Sequence, residues 1–346
     1  MAVTENAVRD ALKKVKFPGL SRDIVSFGFV KAVAIDGDTV RVGIVMTTGN
    51  AEAGTRVEAD ARAAVEALPG VGRVELSVEV GSPQAAAAPP RPKLLPGVKY
   101  KIAVASGKGG VGKSTVAANL ALALKRLGHT VGLLDADIYG PSQQLMMGCT
   151  EPPRVNDAEK ILPVDGNGVA VMSLGFLMDP DTPVIWRGPM VMKALQQFLE
   201  DVEWGELDYL VVDLPPGTGD AQLTLTQQVP LDGAVIVTTP QDVALIDARK
   251  GLLMFRKVNV PLLGVIENMS AYVCPQCGHR EAIFKAGGGR KTAEELGVPY
   301  LGDVPIDPAI VSGGDDGTPI VASHPESAAA KAFMALAAEV VRQVSK

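Results

Sequence analysis

The stretch SGKGGVGKST, residues 106–115, is the one around which the chain is organised. It fits the pattern G-x-x-x-x-G-K-S/T from Gly107 to Ser114. An apolar, β-leaning run (100–105) precedes it and a helix-forming run (116–125) follows it. In this context the loop N–H groups and the helix N-terminus together attract phosphate. Lys113 is predicted to reach the β- and γ-phosphates of a nucleoside triphosphate, and the hydroxyl of Ser114 to ligate Mg²⁺.

Around this loop, from residue 98 to residue 346, strand-like and helix-like runs alternate. The alternation predicts an α/β fold, a mainly parallel sheet sandwiched by helices, with ligands beyond the carboxyl ends of the strands. The predicted strands span 130–135, 169–174, 209–214, 234–239, 262–267 and 300–301. The predicted helices span 191–202, 221–228, 243–257, 292–296 and 327–344.

The N-terminal residues 1–80 are predicted to form a separate, small α+β domain. Helices are expected over 5–15 and 51–68, and strands over 24–31, 39–46 and 73–80. This part holds no Cys and no His, so a docking role is favoured over a catalytic one. Residues 81–97 include GSPQAAAAPPRP and have no apolar periodicity, which predicts an extended linker.

Composition narrows the classes of function. The net charge of −6 argues against general binding to nucleic acid or to anionic membranes. No apolar run approaches the ~18 residues of a spanning helix, and no secretory signal opens the chain, so a cytoplasmic location is expected. Three cysteines in 346 residues imply no disulfide framework.

Acidic residues follow two of the predicted strands. Asp135 and Asp137 end the strand after the glycine-rich loop, where they could hold Mg²⁺ or orient the attacking water. Helix capping and loop solvation are the alternatives for this pair. Asp213 ends the apolar run LVVD, which is how a Walker B carboxylate is placed beside Mg²⁺. The segment 214–220 (LPPGTGD) that follows suits a switch near the γ-phosphate, or a plain strand-to-helix turn.

Cys274 and Cys277 have C-x-x-C spacing in the sequence CPQCGH. A redox dithiol, a zinc knuckle and an iron–sulfur cluster are all compatible with such a pair. A redox dithiol usually opens a helix, whereas Gly278 follows directly here. Zinc and cluster sites need four ligands, so one pair is half of a site, and two subunits related by a two-fold axis would complete it. Cys149 stands alone and is predicted to be a buried, small apolar side chain.

Lys108 is the informative departure from an ordinary phosphate loop. With this lysine, the pattern GKGGVGKS resembles the deviant Walker A family, which includes MinD, the nitrogenase iron protein and ArsA-type ATPases. The resemblance implies that Lys108 reaches the phosphates, commonly across a dimer that sandwiches the nucleotide. A second ammonium there would offset charge on the transferring phosphoryl group.

Taken together, the motifs resemble the Mrp/ApbC family of iron–sulfur cluster carrier ATPases over nearly the whole chain. The motifs that carry the resemblance are residues 107–115, 135–142, 186–190 (WRGPM), 213–219, 267–270 (ENMS) and the C-x-x-C pair. The family implies a homodimer whose paired thiols hold a bridging [4Fe–4S] cluster, delivered to apo-proteins with the help of assembly factors. It also implies binding and slow hydrolysis of ATP.

The resemblance extends to roles of single residues. It makes Lys108 the signature lysine, Asp137 the carboxylate that orients water, and Asn268 a contact of the nucleotide base, with the loop around Pro305 also near the base. With Lys108, Lys113 and Asp137 as catalytic groups and Ser114 on Mg²⁺, the predicted nucleotide-binding residues are Gly107, Lys108, Gly109, Gly110, Val111, Gly112, Lys113, Ser114, Thr115, Asp213, Asn268 and Pro305.

The N-terminal domain is similar to the iron–sulfur-assembly domain often fused to these proteins. The cysteine often found there is missing from the corresponding run, residues 47–53, so docking remains the expected role. Two alternatives stay open for the whole chain. One is a spatial regulator of the MinD or ParA kind, although the C-terminal helix (331–344) carries little positive charge for binding a membrane. The other is a zinc-stapled ATPase.

Overall fold

The computed structural model describes residues 3–16, 23–26, 28–47, 51–81, 94–137, 140–178, 188–274 and 276–345. Most of the predicted linker, Trp186 and Arg187 of the WRGPM motif, and Pro275 of the C-x-x-C motif lie outside these ranges. The chain divides into two compact units, Met1–Arg91 and Pro92–Lys346. The predicted boundaries of 1–80, 81–97 and 98–346 stay a prediction.

The first unit is a three-stranded sheet with two helices. Its elements are α1 (Glu5–Leu12), β1 (Val30–Asp36), β2 (Thr39–Thr47), α2 (Ala51–Glu66) and β3 (Arg73–Gly81). β2 lies between β1, which is antiparallel to it, and β3, which is parallel to it. The parallel pair requires a crossover, and α2 supplies it. Apolar side chains of all five elements form one core, among them Val8, Leu12, Val42, Ile44, Val57 and Val74.

The predicted strand over 24–31 begins too early. Asp23 bends the chain here because its carboxylate accepts the backbone N–H groups of Val25, at 3.0 Å, and Ser26, at 2.8 Å. Aspartate commonly closes turns in this way. Ile24 is nevertheless fully buried, so the apolar character that suggested a strand reflects packing in the core. The strand begins later, at Val30.

The second unit contains the remaining elements of the described chain. Its strands are β4 (Val98–Ser106), β5 (Val131–Asp135), β6 (Arg154–Val155), β7 (Ile161–Leu162), β8 (Val164–Gly166), β9 (Val169–Ser173), β10 (Leu207–Asp213), β11 (Gly233–Thr238), β12 (Leu262–Val273), β13 (Arg280–Glu281) and β14 (Tyr300–Ile306). Its helices are α3 (Lys113–Arg126), α4 (Gln143–Met146), α5 (Gly188–Glu200), α6 (Asp220–Gln228), α7 (Asp242–Lys257), α8 (Gly288–Leu296), α9 (Pro308–Asp315), α10 (Ile320–Ser323) and α11 (Ala328–Val344), with a 3₁₀ helix at Leu174–Leu177.

The predicted parallel sheet is confirmed. Its strand order is β13-β12-β11-β4-β10-β5-β9-β8, and β14 also pairs with β12. The pairs are parallel except at the ends, where β8 and β13 are antiparallel to their neighbours. Every residue of β5 and β11 is buried, as expected for strands covered on both faces. Ser106, Asp135 and Asp213 end three neighbouring strands, so the predicted nucleotide residues meet at one edge of the sheet.

Several elements differ in extent from their predictions, among them β12, β14 and α8. β12 continues to Val273, and β14 continues to Ile306, so Pro305 is a buried strand residue and the predicted loop around it is wrong. α8 begins at Gly288 because the buried carboxylate of Glu267 accepts N–H groups at its start, including that of Gly287 at 2.9 Å.

The C-terminal helix α11 packs on its own unit. Phe333, Leu336, Ala337 and Val340 are buried in the core on one face of the sheet, and Met334 and Val341 pack against that core. The predicted apolar face of this helix is therefore confirmed as a packing face. None of the helices in the described ranges combines the length and the apolar character needed to cross a bilayer.

Candidate functional site

The glycine-rich loop lies between β4 and α3. Gly110 and Gly112 have φ values of 79° and 80°, a region that favours glycine. A side chain on Gly112 would also collide with the amide of Asn268, and one on Gly107 with the backbone of α7 at Asp247. These positions therefore need glycine for local geometry and for close packing, while α3 begins directly after Gly112.

Lys113 is held by carboxylates. Its side chain is 6% exposed, and its Nζ lies 2.5 Å from Asp213 Oδ1, 3.2 Å from Asp137 Oδ2 and 3.2 Å from the hydroxyl of Ser114. Burial opposes the charge on this lysine, but Asp213 and Asp137 outweigh burial and raise its pKa. The predicted catalytic lysine, the Walker B acid, the water-orienting acid and the Mg²⁺-ligating hydroxyl thus share one cluster.

Asp135 and Asp137 take different positions. Asp135 is completely buried, and its carboxylate accepts the N–H groups of Asp137, Ser142 and Gln143, at 2.9–3.1 Å, and the hydroxyl of Ser173 at 2.9 Å. Burial and the nearby charge of Asp213 raise the pKa of Asp135 to about 7. Asp135 therefore organises the chain after β5, while Asp137 is the acid of this pair that contacts Lys113.

Gln143 is a site residue that the sequence reasoning missed. It is fully buried at the start of α4, and its Nε2 donates to the carbonyl of Ser114 at 2.9 Å and to Asp213 Oδ2 at 2.8 Å. It therefore links the loop after β5 to the start of α3 and to the end of β10. No motif in the sequence signals this role, because the three segments meet only in the folded chain.

Asn268 lies against the phosphate loop. Its side chain is buried, and its Nδ2 donates to the carbonyl of Val111 at 2.9 Å. In this structure its amide thus holds the loop itself, while its predicted contact with a base stays a prediction. Lys108 is half-buried beside the loop, where the hydroxyl of Ser106 donates to its carbonyl at 2.8 Å.

The two thiols lie on a strand–turn–strand segment, called here the thiol hairpin (residues 273, 274 and 276–280). The N–H of Cys274 donates to the carbonyl of His279, and the N–H of Gly278 donates to that of Cys274, both at 2.9 Å. Cys274 is half-buried and Cys277 is exposed. The N–H groups of Cys277 and Gln276, and then the Cys277 side chain, lower the pKa of Cys274.

This geometry bears on the three interpretations of the C-x-x-C pair. The pair lies between β12 and β13 and does not open a helix, unlike a typical redox dithiol. Within the described ranges, no group of three or more His, Cys, Asp and Glu side chains is arranged to hold a metal ion. Cys149 packs against the core but is half-buried and not buried as predicted, and burial together with the charge of Asp165 raises its pKa to about 11.

Comparison with known proteins gives two family matches. Residues 97–341 match the family described as NUBPL iron-transfer P-loop NTPase, and residues 5–78 match the iron–sulfur cluster assembly protein family. A protein of Synechocystis named iron–sulfur cluster carrier protein is 49% identical over 348 residues, which cover 99% of this chain and 98% of that protein.

Solved structures show the same fold. A nucleotide-binding protein of Archaeoglobus fulgidus, in complex with ADP, is 40% identical with a TM-score of 0.57, covering 64% of this chain and 87% of that one. The cell division ATPase MinD of Pyrococcus furiosus is 27% identical with a TM-score of 0.52, covering 70% and 98%. With its phosphate loop, its parallel sheet and these matches, the chain belongs to the family of NUBPL iron-transfer P-loop NTPases, preceded by a domain of the iron–sulfur cluster assembly family.

Proposed function

We propose that this protein is a cytoplasmic carrier that binds and slowly hydrolyses ATP, holds a [4Fe–4S] cluster between two copies of the chain, and transfers it to apo-proteins. The observation that carries the proposal is the thiol hairpin, which begins at the end of β12, the strand that also carries the asparagine in contact with the phosphate loop. The similarity to the Synechocystis protein named iron–sulfur cluster carrier protein supports it.

The proposal that the protein binds ATP is supported by the side chains around Lys113. The hydroxyl of Ser114 and the carboxylate of Asp213 lie within 3.2 Å of the same ammonium, so hard oxygen donors of the kind that suit Mg²⁺ are already gathered. Bound there, Mg²⁺ would neutralise charge on the β- and γ-phosphate oxygens. The ADP in the Archaeoglobus protein supports a nucleotide at this loop.

Hydrolysis would be divided among three residues. Asp137 would accept a hydrogen bond from the water that attacks the γ-phosphorus, as the bond to the bridging oxygen of the leaving ADP breaks. Lys113 would leave its carboxylates to bind the phosphates. Lys108 would add a second ammonium that offsets charge on the transferring group, and inorganic phosphate and ADP would leave.

The proposal that two copies share one cluster is based on the number of ligands that the cluster needs. A [4Fe–4S] cargo needs four thiolates, and each hairpin offers Cys274 and Cys277. Two copies related by a two-fold axis would supply all four. The lowered pKa of Cys274 favours the thiolate that binds metal. The N-terminal domain, which has no cysteine, would dock assembly factors or clients.

Anaerobic reconstitution with iron and sulfide tests this function. We expect about one [4Fe–4S] cluster per dimer, with metal, sulfide and oligomer mass measured together. Cys274→Ser and Cys277→Ser should bind far less iron, whereas Cys149→Ser is the matched control and should bind as much as the wild type. Equal iron in all four proteins would refute the carrier function. Stoichiometric zinc that iron and sulfide fail to displace would favour the zinc-stapled ATPase instead.

The similarity to MinD supports one alternative to the carrier function, a spatial regulator that acts on a membrane. In MinD-like proteins the C-terminal helix is expected to bind the membrane, whereas the apolar face of α11 is buried in the core of its own unit. Sedimentation with anionic vesicles tests this alternative. Strong binding in the presence of ATP would favour the regulator over the carrier.

A further inference from the structure

β12 connects the phosphate loop, where nucleotide is proposed to bind, with the thiol hairpin, where the cluster is proposed to bind. Asn268 contacts the carbonyl of Val111 in the phosphate loop, and Cys274 follows directly after the last residue of the same strand. The absence of a side chain on Gly112 lets Asn268 and the end of the Met269 side chain approach the loop. A change in the loop on nucleotide binding would therefore reach the middle of β12.

β12 is irregular between Asn268 and the thiol hairpin. Asn268 pairs with Val304 of β14, and the next pair is Tyr272 with Ile306, so residues 269–271 lie opposite Pro305 alone. Proline has no N–H and cannot donate to a ladder, which accounts for a bulge at this place. Met269 has a φ of 56°, in the left-handed region that disfavours side chains. The backbone ladder to β14 is interrupted here, and other contacts must position the bulge.

Besides the carbonyl of Val304, which lies 3.2 Å from the Ser270 hydroxyl, one carboxylate provides such contacts. Ser270, in the middle of the bulge, donates its hydroxyl to Asp303 Oδ2 at 2.6 Å, and Arg280 donates Nη2 to the same oxygen at 2.8 Å. Arg280 belongs to the thiol hairpin: it pairs with Val273 and follows His279, whose carbonyl accepts the N–H of Cys274. Asp303 therefore joins the bulge of β12 to the hairpin that carries both thiols.

We infer that Asp303 is a positioning residue that transmits the state of the phosphate loop to the thiol hairpin. The path runs from Val111 to Asn268, through the bulge to Ser270, and across Asp303 to Arg280. The inference rests on the proposed function, because that function places nucleotide in the loop and the cluster on the thiols. The inference adds a route by which nucleotide at the phosphate loop changes the thiol hairpin.

Alkylation of the thiols in the cluster-free protein tests this inference. The rates at Cys274 and Cys277 with iodoacetamide, followed by peptide mass spectrometry, are measured with and without ATP and Mg²⁺. We expect nucleotide to change these rates in the wild type. Asp303→Asn should reduce the change by at least about twofold, the lower end for residues that carry coupling, with no loss of nucleotide affinity. Arg280→Gln should have the same effect, and adding it to Asp303→Asn should change little further.

Asp201→Asn is the matched control, since it removes another partly exposed carboxylate that pairs with a cation, Lys160 at 3.1 Å, far from β12 in the chain. It should keep the wild-type response. If nucleotide has no effect in the wild type, or if Asp303→Asn responds as fully as the control, the inference is wrong. Thermal melting checks that each variant is folded, and Arg280, which is 59% exposed, gives a second variant with little risk to folding. If the protein fails to assemble a cluster but nucleotide still changes the alkylation rates through Asp303, the carrier function is refuted and the inferred coupling is not.

Discussion

The ammonium of Lys113 lies 2.5 Å from the carboxylate of Asp213 and 3.2 Å from that of Asp137. All three side chains are at least nine-tenths buried, so water screens this triad poorly. The lysine that is proposed to bind phosphate thus pairs with two acids. A bound nucleotide would have to draw the Lys113 ammonium away from these carboxylates. A cation such as Mg²⁺ would then balance the negative charge of Asp213 and Asp137.

The first prediction concerns stability. Lys113→Ala leaves Asp213 and Asp137 buried without their cation, and breaking a buried pair in this way costs about 3–5 kcal/mol of unfolding free energy. Lys108→Ala is the matched control, because Lys108 is half-buried and forms no ion pair among the described residues, so we expect a change within about 0.5 kcal/mol. Urea unfolding of the nucleotide-free proteins measures both.

Turnover should respond differently from stability. Both lysines are proposed to stabilise charge on the transferring phosphate, so each variant should lose at least about 100-fold in ATP hydrolysis. Equal stability of the two variants would show that the carboxylate triad does not hold Lys113. Full turnover of Lys108→Ala would refute a role for this lysine in a shared dimer site.

The second prediction is a dependence of stability on pH. Burial, with the charge of Asp213, raises the pKa of Asp135 to about 7, well above its unfolded value. Between about pH 4 and pH 7 the folded protein therefore binds more protons at this group than the unfolded chain, and its contribution to stability falls as pH rises through that window. The loss is at most about 4 kcal/mol, at about 1.4 kcal/mol per pKa unit.

Asp135→Asn isolates this group. The difference in unfolding free energy between wild type and variant should move in favour of the variant as pH rises from 5 to 8, because the asparagine has no charge to bury. Urea titrations at several pH values give that difference. A difference that stays constant over this range would mean that Asp135 does not titrate there.

Much of the nucleotide site could be predicted from the sequence because its signals are local. The glycines of residues 107–112 encode a backbone path, and the apolar run that ends in Asp213 encodes a buried strand with its acid at the edge of the sheet. In a parallel sheet, strands that end in polar residues bring those residues together. Position along the chain therefore sufficed to place Lys113 near Asp137 and Asp213.

The remaining roles depend on contacts between distant segments. Gln143 meets Asp213 across 70 residues of sequence, and Asn268 meets Val111 across 157. Nothing in the local pattern around either residue specifies its partner. The resemblance placed Pro305 in a loop, whereas in the structure it is a strand residue opposite a bulge in β12. Tertiary packing decided these cases.

The third prediction separates the cysteines by reactivity. The N–H groups of Cys277 and Gln276 lower the pKa of Cys274, whereas burial and the charge of Asp165 raise that of Cys149 to about 11. Because the thiolate is the nucleophile, and its nucleophilicity falls with its pKa, iodoacetamide at pH 7 should modify Cys274 at least about tenfold faster than Cys149. Peptide mass spectrometry of the reduced protein gives both rates. Comparable rates in the folded protein would contradict this assignment, and unfolding in urea should abolish the difference.

The fourth prediction asks what Asn268 does for the nucleotide. Its amide donates to the carbonyl of Val111, so Asn268→Ala should loosen the phosphate loop and weaken ATP binding about tenfold, the equivalent of one hydrogen bond of about 1.4 kcal/mol. Calorimetric titration with ATP and with inorganic tripolyphosphate distinguishes this role from contact with the base. If Asn268 acts through the loop, both ligands lose affinity equally. If only ATP binds more weakly, the base contact is its main role. Asn156→Ala, outside the nucleotide site, should leave both affinities unchanged.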